Sequence, residues 1–552
     1  MIKSLLDDMR NFVSSKVYCI IVFVAAVWAY GFQMTHVAIG IDDTAISLYF
    51  EEGLAPAMGR WPLFIINKMF HLSDFTPWMT DVVGVFLMII AAVIWCVLLY
   101  RFLGEEVPVL GYTFFSALFV TCPLISEVYV YYLHNGTGLG YMLSALSMLL
   151  VQQTLEKDKD IKARCRDLLG SSLLMLTAIG CYESFVVVFC IGALLLFVAR
   201  RFGGMNYCSE KYYISVWRWG LSFGIPLVAA ILLRKPVVSI ICKIFGLSIP
   251  EHFIFGEFRG AAFGFDGNSS ELAMYFKRYW VKFYLNGLVY LPITVLVFGI
   301  VILLILCVGH SIKEKDLFVS LAALIVPMLP AFMIFVEGKE AYYRACQYVP
   351  LVGAFSVLLL FRAGQAHLPI WGKRVGVLLA AALLWNQCAD MNKWFYVDYM
   401  KYEYFENQMR TVMYDLERGY DMSKPVIFGG LCGVPYSIME DACVGFNTPQ
   451  YKCIKTLGDM ADPHLIEKYN ESEGRGYVFA ETPTYSTLQW GITAFDGTSR
   501  EIQSFLRMLG YQINIETDLQ KIEDVLQIRS YMPHFPQEGY IREEEDCIIV
   551  NF

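Results

Sequence analysis

Apolar residues fill the first 391 positions in stretches of roughly the length that bilayer hydrocarbon demands, about 20 per helix. Eleven stretches qualify, centred near Phe23, Ile89, Leu118, Leu146, Leu174, Gly192, Pro226, Val297, Leu324, Phe355 and Leu379. The fifth and sixth are short and meet at the Cys181–Ser184 corner, so they read as a tight hairpin. Two connections are long, residues 36–79 and 236–282. They carry aromatic and apolar residues at helical spacing (Ile46, Tyr49, Phe50, Leu54; Phe64, Ile65, Met69, Phe70) and predict helices lying in the membrane interface. Beyond Asn392 the pattern changes. Glu403–Gly419 reads as an amphipathic helix ended by glycine, Pro425–Phe428 as a short strand, Ser499–Gly510 as another helix and Cys547–Phe552 as a final strand. The prediction is a polytopic α-helical membrane protein with about 11 transmembrane helices over residues 1–391. A small α/β or α+β domain follows over residues 392–552.

Composition agrees: 57 % of the 552 residues are hydrophobic and only 17 % charged, with a mean hydropathy of +0.50. Soluble domains sit nearer 45–50 % and about 25 %. A disordered chain, a collagen and a nucleic-acid-binding module are excluded. From Asn392 onward the chain holds 14 Lys/Arg against 25 Asp/Glu, so the acidic balance of −8 comes wholly from the tail. Lys3, Arg10 and Lys16, the run Lys157–Arg166, Arg200–Arg201, Lys313–Lys315, and Arg362 with Lys373 and Arg374 all fall on one side of an eleven-span chain. The positive-inside rule makes that side cytoplasmic and the tail extracytoplasmic. The first 15 residues are too polar for a signal peptide, so Val17–Gly31 reads as a retained anchor. Most of the fifteen cysteines lie in apolar runs, where they act as small hydrophobes, and no CxxC pair occurs. Cys432, Cys443, Cys453 and Cys547 lie in the tail, where an oxidising compartment would permit pairing that spacing does not select.

Candidate chemistry concentrates at the outer ends. Ile41-Asp42-Asp43-Thr44 places adjacent carboxylates just beyond a membrane helix, where they must be solvated, paired or functional. Mutual repulsion would raise one pKa and suit it to act as general base on an acceptor hydroxyl. The alternative reading is that Asp43 or Thr44 caps an interfacial helix starting at Ala45. Arg60, in Gly59-Arg60-Trp61-Pro62, and Lys68 after it suit bidentate or point-charge binding of a phosphate, or anchoring at the interface. Arg344, in Tyr342-Tyr343-Arg344, has the same two readings, and Lys339 is a weaker case. Glu183, in Cys181-Tyr182-Glu183-Ser184, is either a functional carboxylate near membrane depth or a solvated turn. His134 could contact a sugar or cap a helix. Tyr275, Tyr279, Trp280 and Tyr284 suit stacking on a sugar or an isoprenoid chain, or an interfacial aromatic belt. No nucleotide-binding motif, GxSxG motif or zinc ligand set is present.

An outer loop with Asp42-Asp43, then Gly59-Arg60-Trp61 heading an amphipathic stretch, resembles the bacterial glucosyltransferase GtrII-like membrane family. So do the short helical pair with Tyr182-Glu183-Ser184 at its corner and the closing Met532-Pro533-His534-Phe535-Pro536 with Gly539. The family tends to have Gln where this chain has Glu183. The resemblance implies a GT-C-type glycosyltransferase that moves a hexose, glucose in the named members, from polyprenyl phosphate to a surface glycan outside the bacterial cytoplasmic membrane. On this sequence it makes Asp42 or Asp43 the base, and Arg60 with Arg344 the cations receiving the lipid phosphate. The implied partners are a lipid-linked sugar donor, a surface glycan acceptor and membrane lipid, with no nucleic acid. A divalent cation bridging carboxylate and phosphate is left open. The alternatives are a flippase or exporter of lipid-linked sugars, which would more often show internal repeats, and a scaffold whose acidic tail recruits partners.

Overall fold

The computed structural model describes residues 2–40, 43, 53–71, 77–129, 136–155, 160–203, 212–247, 273, 276, 277, 279, 280, 284, 294–332, 334, 343–429, 500–516, 518–529 and 531–552. Its helices are α1 (Ile2–Val13), α2 (Lys16–Thr35), α3 (Leu54–Ala57), α4 (Trp61–Phe70), α5 (Pro77–Leu103), α6 (Val109–Val120), α7 (Ser126–Tyr129), α8 (Thr137–Thr154), α9 (Ile161–Cys181) and α10 (Phe185–Phe202). They continue with α11 (Tyr212–Phe245), α12 (Thr294–Glu314), α13 (Leu317–Ile325), α14 (Val349–His367) and α15 (Ile370–Gly419). Each of the eleven apolar centres falls inside one of these helices. Seven helices among the described residues are long and apolar enough to cross a membrane: Lys16–Thr35, Trp78–Glu106, Val109–Tyr129, Phe185–Phe202, Ser215–Phe245, Val295–Glu314 and Val349–His367. The chain has the architecture of a polytopic helical membrane protein.

Ends are set by local chemistry. The Ser15 hydroxyl accepts from the Tyr18 N–H to start α2, and the Asp160 carboxylate accepts from the Ala163 N–H at 3.0 Å to start α9. Inside the bundle, polar side chains bond across helices, as hydrocarbon requires. The Tyr18 and Ser116 hydroxyls lie 2.6 Å apart, and the Tyr30 hydroxyl donates to the Val120 carbonyl at 2.7 Å. Gly140 lets α8 approach α10: a Cβ there would fall 2.0 Å from the Phe185 ring.

Antiparallel alternation sorts the connections to two ends. Near the N-terminus, ion pairs tie the helix ends together: Arg101 to Asp8 at 2.6 Å, Arg362 to Glu106 at 2.5 Å and Arg201 to Asp316 at 3.4 Å. The opposite end collects residues 36–40 and 53–71, the Pro123–Tyr129 turn, the Tyr182–Ser184 corner and the turn at Tyr343–Ala345.

Two boundaries differ from the sequence reading. Helix α11 continues through Pro236 to Phe245, so the second long connection begins later than residue 236. A proline costs one backbone hydrogen bond, which a long apolar helix packed on its neighbours tolerates. Helix α15 runs 50 residues through position 392 without a break, about 75 Å at 1.5 Å per residue. Its first part exposes Leu378, Leu379 and Trp385, whereas its last part buries Phe405, Met409, Val412, Met413 and Leu416 at helical spacing.

That second face packs on β1 (Val426–Gly429), α16 (Arg500–Met508), β2 (Ile541–Glu543) and β3 (Ile548–Asn551), while α17 (Leu519–Arg529) covers the other face of the sheet, with Ile522 and Val525 against Ile427 and Ile549. The sheet order is β1-β3-β2, with β1 parallel to β3 (Val426 opposite Ile548) and β2 antiparallel to it (Ile541 opposite Val550). Cys547 is a buried free thiol, and Cys432, Cys443 and Cys453 lie outside the described residues.

Candidate functional site

Gly59-Arg60-Trp61-Pro62 and the Tyr182-Glu183-Ser184 corner meet in space. Gly59 adopts φ +85°, in the left-handed region glycine favours, and delivers Arg60 to the start of α4. Trp61 and Pro62 then pack against Gly180 in the last turn of α9, where a Cβ would fall 2.7 Å from the proline ring. The Arg60 guanidinium lies 4.8 Å above the Tyr182 ring, with Nε 3.8 Å from Glu183 Oε2.

A second guanidinium reaches the same carboxylate from α11. Arg234 donates to Glu183 Oε1 at 2.6 Å and to the Met58 carbonyl at 2.8 Å. The side chains of Arg60, Glu183 and Arg234 are only 14, 20 and 6 % exposed, so the pairing is shielded from water. Glu183 is therefore not a solvated turn. Two forked cations on one carboxylate leave these three groups with one net positive charge, a chemistry suited to a phosphate oxygen.

Asp43 lies just beyond α2 with 1 % of its surface exposed. Its carboxylate accepts from the Gly40 N–H at 2.8 Å, while its own N–H donates to the Gly40 carbonyl at 3.1 Å. These bonds point back along the chain. Asp42 and His134 lie outside the described residues.

The other candidates separate. Lys68 is exposed, with Nζ 5.4 Å over the Phe64 ring, as expected of a cation at an interface. Arg344 is half-buried in the turn Tyr343–Ala345. That turn is fastened to the start of α8, because the Tyr141 hydroxyl donates to the Gln347 carbonyl and the Gln347 amide reaches Thr137 Oγ1 at 3.5 Å. Tyr279 and Tyr348 join their hydroxyls at 3.1 Å, Trp280 stacks on Tyr284, and the Tyr284 hydroxyl donates to the Pro327 carbonyl. Those phenols are spent on the protein itself, and Tyr275 lies outside the described residues. Among the described residues no group of three His, Cys, Asp or Glu could hold a metal ion.

Sequence reasoning passed over Arg234 and the buried carboxylates Asp81 and Glu127, 5 and 2 % exposed at this same end. The signal for Arg234 is present in the sequence: it directly follows the apolar run Ile225–Leu233, and a cation at membrane depth is by default a functional candidate.

Against this geometry, a family model described as Glucosyl transferase GtrII matches residues 31–361, a span that contains Asp43, Arg60, Glu183, Arg234 and Arg344. No curated protein and no solved structure matches the chain.

Proposed function

The chain belongs to the glucosyl transferase GtrII family, and from that premise we propose that it moves a glucose from a polyprenyl-phosphate carrier to a surface glycan on the outer side of the bacterial cytoplasmic membrane. The observation that carries this reading is the convergence of Arg60 and Arg234 on Glu183 at the end of the bundle that also holds the buried Asp43.

A sugar phosphodiester is cleaved at the bond between its anomeric carbon and the phosphate oxygen. The phosphate leaves with that bonding pair and gains charge, so cations placed beside it lower the barrier. Arg60 and Arg234 supply that charge, with Arg344 as a further candidate. The acceptor hydroxyl forms the new bond to the anomeric carbon and gives its proton to a carboxylate, Asp43 or its neighbour Asp42. A lipid-borne donor accounts for cations at the interface and for a chain without a nucleotide-binding motif. Glu183 holds both guanidiniums in place before the donor arrives, Lys68 is a further candidate for the lipid phosphate, and His134 is a candidate substrate contact.

The test is transfer from a polyprenyl-phosphate-linked glucose in membranes containing equal amounts of wild type, Asp42→Asn and Asp43→Asn. A general base contributes about 10²–10⁴-fold, so one variant should lose at least 100-fold. A flippase would tolerate at least one substitution in a transport assay, and a scaffold would tolerate both. Full transfer by both variants would end the proposal that either acid is the base.

A further inference from the structure

We infer that the C-terminal part of the chain braces the Asp43 segment through Ile39, making Ile39 a positioning residue; this rests on the reading of Asp43 as the base. Ile39 is 5 % exposed, yet it does not belong to the bundle core that takes up Tyr18, Val22 and Tyr30 of α2. It belongs instead to the apolar cluster of Phe405, Met409, Val412, Phe505, Val550 and Phe552.

The contact ends a seam that α2 makes along α15. Trp28 meets Trp385 edge-on at 5.4 Å, and the Asn392 amide donates to the Trp28 carbonyl. Further on, Phe32 and His36 stack at 4.0 Å and both meet the Tyr399 ring, at 5.9 and 5.0 Å. Where α2 stops, α15 continues, and the segment that follows α2 delivers Ile39 into the cluster α15 builds with the sheet.

Gly40, the next residue, is hydrogen-bonded to Asp43 in both directions. The position of that carboxylate is thereby tied to the position of Gly40, and Gly40 to the seating of Ile39. The donor-phosphate cations Arg60 and Arg234 stand at the start of α4 and on α11, elements that contribute nothing to this cluster among the described residues. A loosened brace should therefore disturb proton transfer and spare donor binding.

The experiment uses the full chain in membranes, with Ile39→Ser, Ile39→Val and, from the helix side of the cluster, Met409→Ala. Amide exchange is measured over residues 37–43, together with kcat and KM for the lipid-linked donor. Ile39→Ser should speed exchange there at least tenfold and lower kcat at least tenfold with KM changed less than twofold. Ile39→Val should restore both, and Met409→Ala should reproduce both if the serine variant does not accumulate. Unchanged exchange, or kcat and KM moving together, would overturn the brace. If Asp43→Asn is fully active while Ile39→Ser still speeds exchange, the base assignment has failed and the mechanical coupling has not.

Discussion

Arg234 donates to Glu183 across 2.6 Å although 51 residues separate them in the chain. The contact joins a helix that crosses the bundle to the corner between two others, and Arg60 approaches the other carboxylate oxygen. Removing one member of a shielded ion pair strands the rest, which costs about 3–5 kcal/mol in comparable sites. Glu183→Ala should therefore lower thermal stability in detergent clearly. Glu183→Gln keeps hydrogen-bonding capacity and should cost less. A Glu183→Ala protein that melts with the wild type would contradict the pairing.

Arg234→Lys tests geometry rather than charge. An ammonium cannot reproduce a fork that bonds both Glu183 and the Met58 carbonyl. KM for the lipid-linked donor should rise several-fold with modest loss of stability, and an unchanged KM would remove Arg234 from the phosphate site.

Gly59 supports the same cluster from behind. A Cβ there would fall 2.2 Å from Arg234 Nη2, and its φ of +85° is strained for any L side chain. Gly59→Ala should cost about 1–2 kcal/mol from the backbone alone and displace the guanidinium. Donor KM should shift in the direction seen with Arg234→Lys; a shift in stability without one in KM would show that the turn serves folding only.

The parts of this arrangement differ in how far local sequence reveals them. Helix positions are legible because hydrocarbon demands long apolar runs: all eleven centres lie in helices, and among the described residues seven of those helices are long and apolar enough to cross a membrane. Arg60 and Glu183 were each visible as ionisable groups near a membrane, but their pairing was not, because it depends on α4 packing against Gly180. Arg234 stands two residues before Pro236, which reads as a loop boundary although the helix runs through it to Phe245. The charge change at Asn392 falls inside α15, which runs on without a break. A change of solvent alters composition without interrupting backbone hydrogen bonds.

Close helix packing gives a prediction independent of function. Gly140→Ala would place a methyl group 2.0 Å from the fully buried Phe185 ring, which is already edge-on to Tyr141 at 5.2 Å. Overpacking of this kind costs about 1–3 kcal/mol. Gly224→Ala, also in a helix but with nothing within 4 Å of the added Cβ, is the control. It should be neutral or stabilising by about 0.5–1 kcal/mol. Equal melting temperatures for the two variants would refute the proposed closeness of α8 and α10.

The bond from Tyr540 to Asp415 fastens the sheet to the long helix, and it predicts how the tail responds to alkali. The Tyr540 hydroxyl donates to Asp415 Oδ2 at 2.7 Å. Burial, and then the hydrogen bond and charge of Asp415, hold its pKa above the ordinary value of 10.0. The folded phenol therefore keeps its proton more tightly than the unfolded one. Its stabilising contribution is fully present below about pH 10 and declines as pH rises through the folded value. Tyr540→Phe should destabilise the tail at pH 7 by about 1–3 kcal/mol, because Asp415 loses a donor. Limited proteolysis of the tail across a urea series, at pH 7 and above pH 10, measures the gap between wild type and variant. The gap should narrow at the higher pH, and a gap that stays constant would show that this phenol does not link the tail's stability to proton binding.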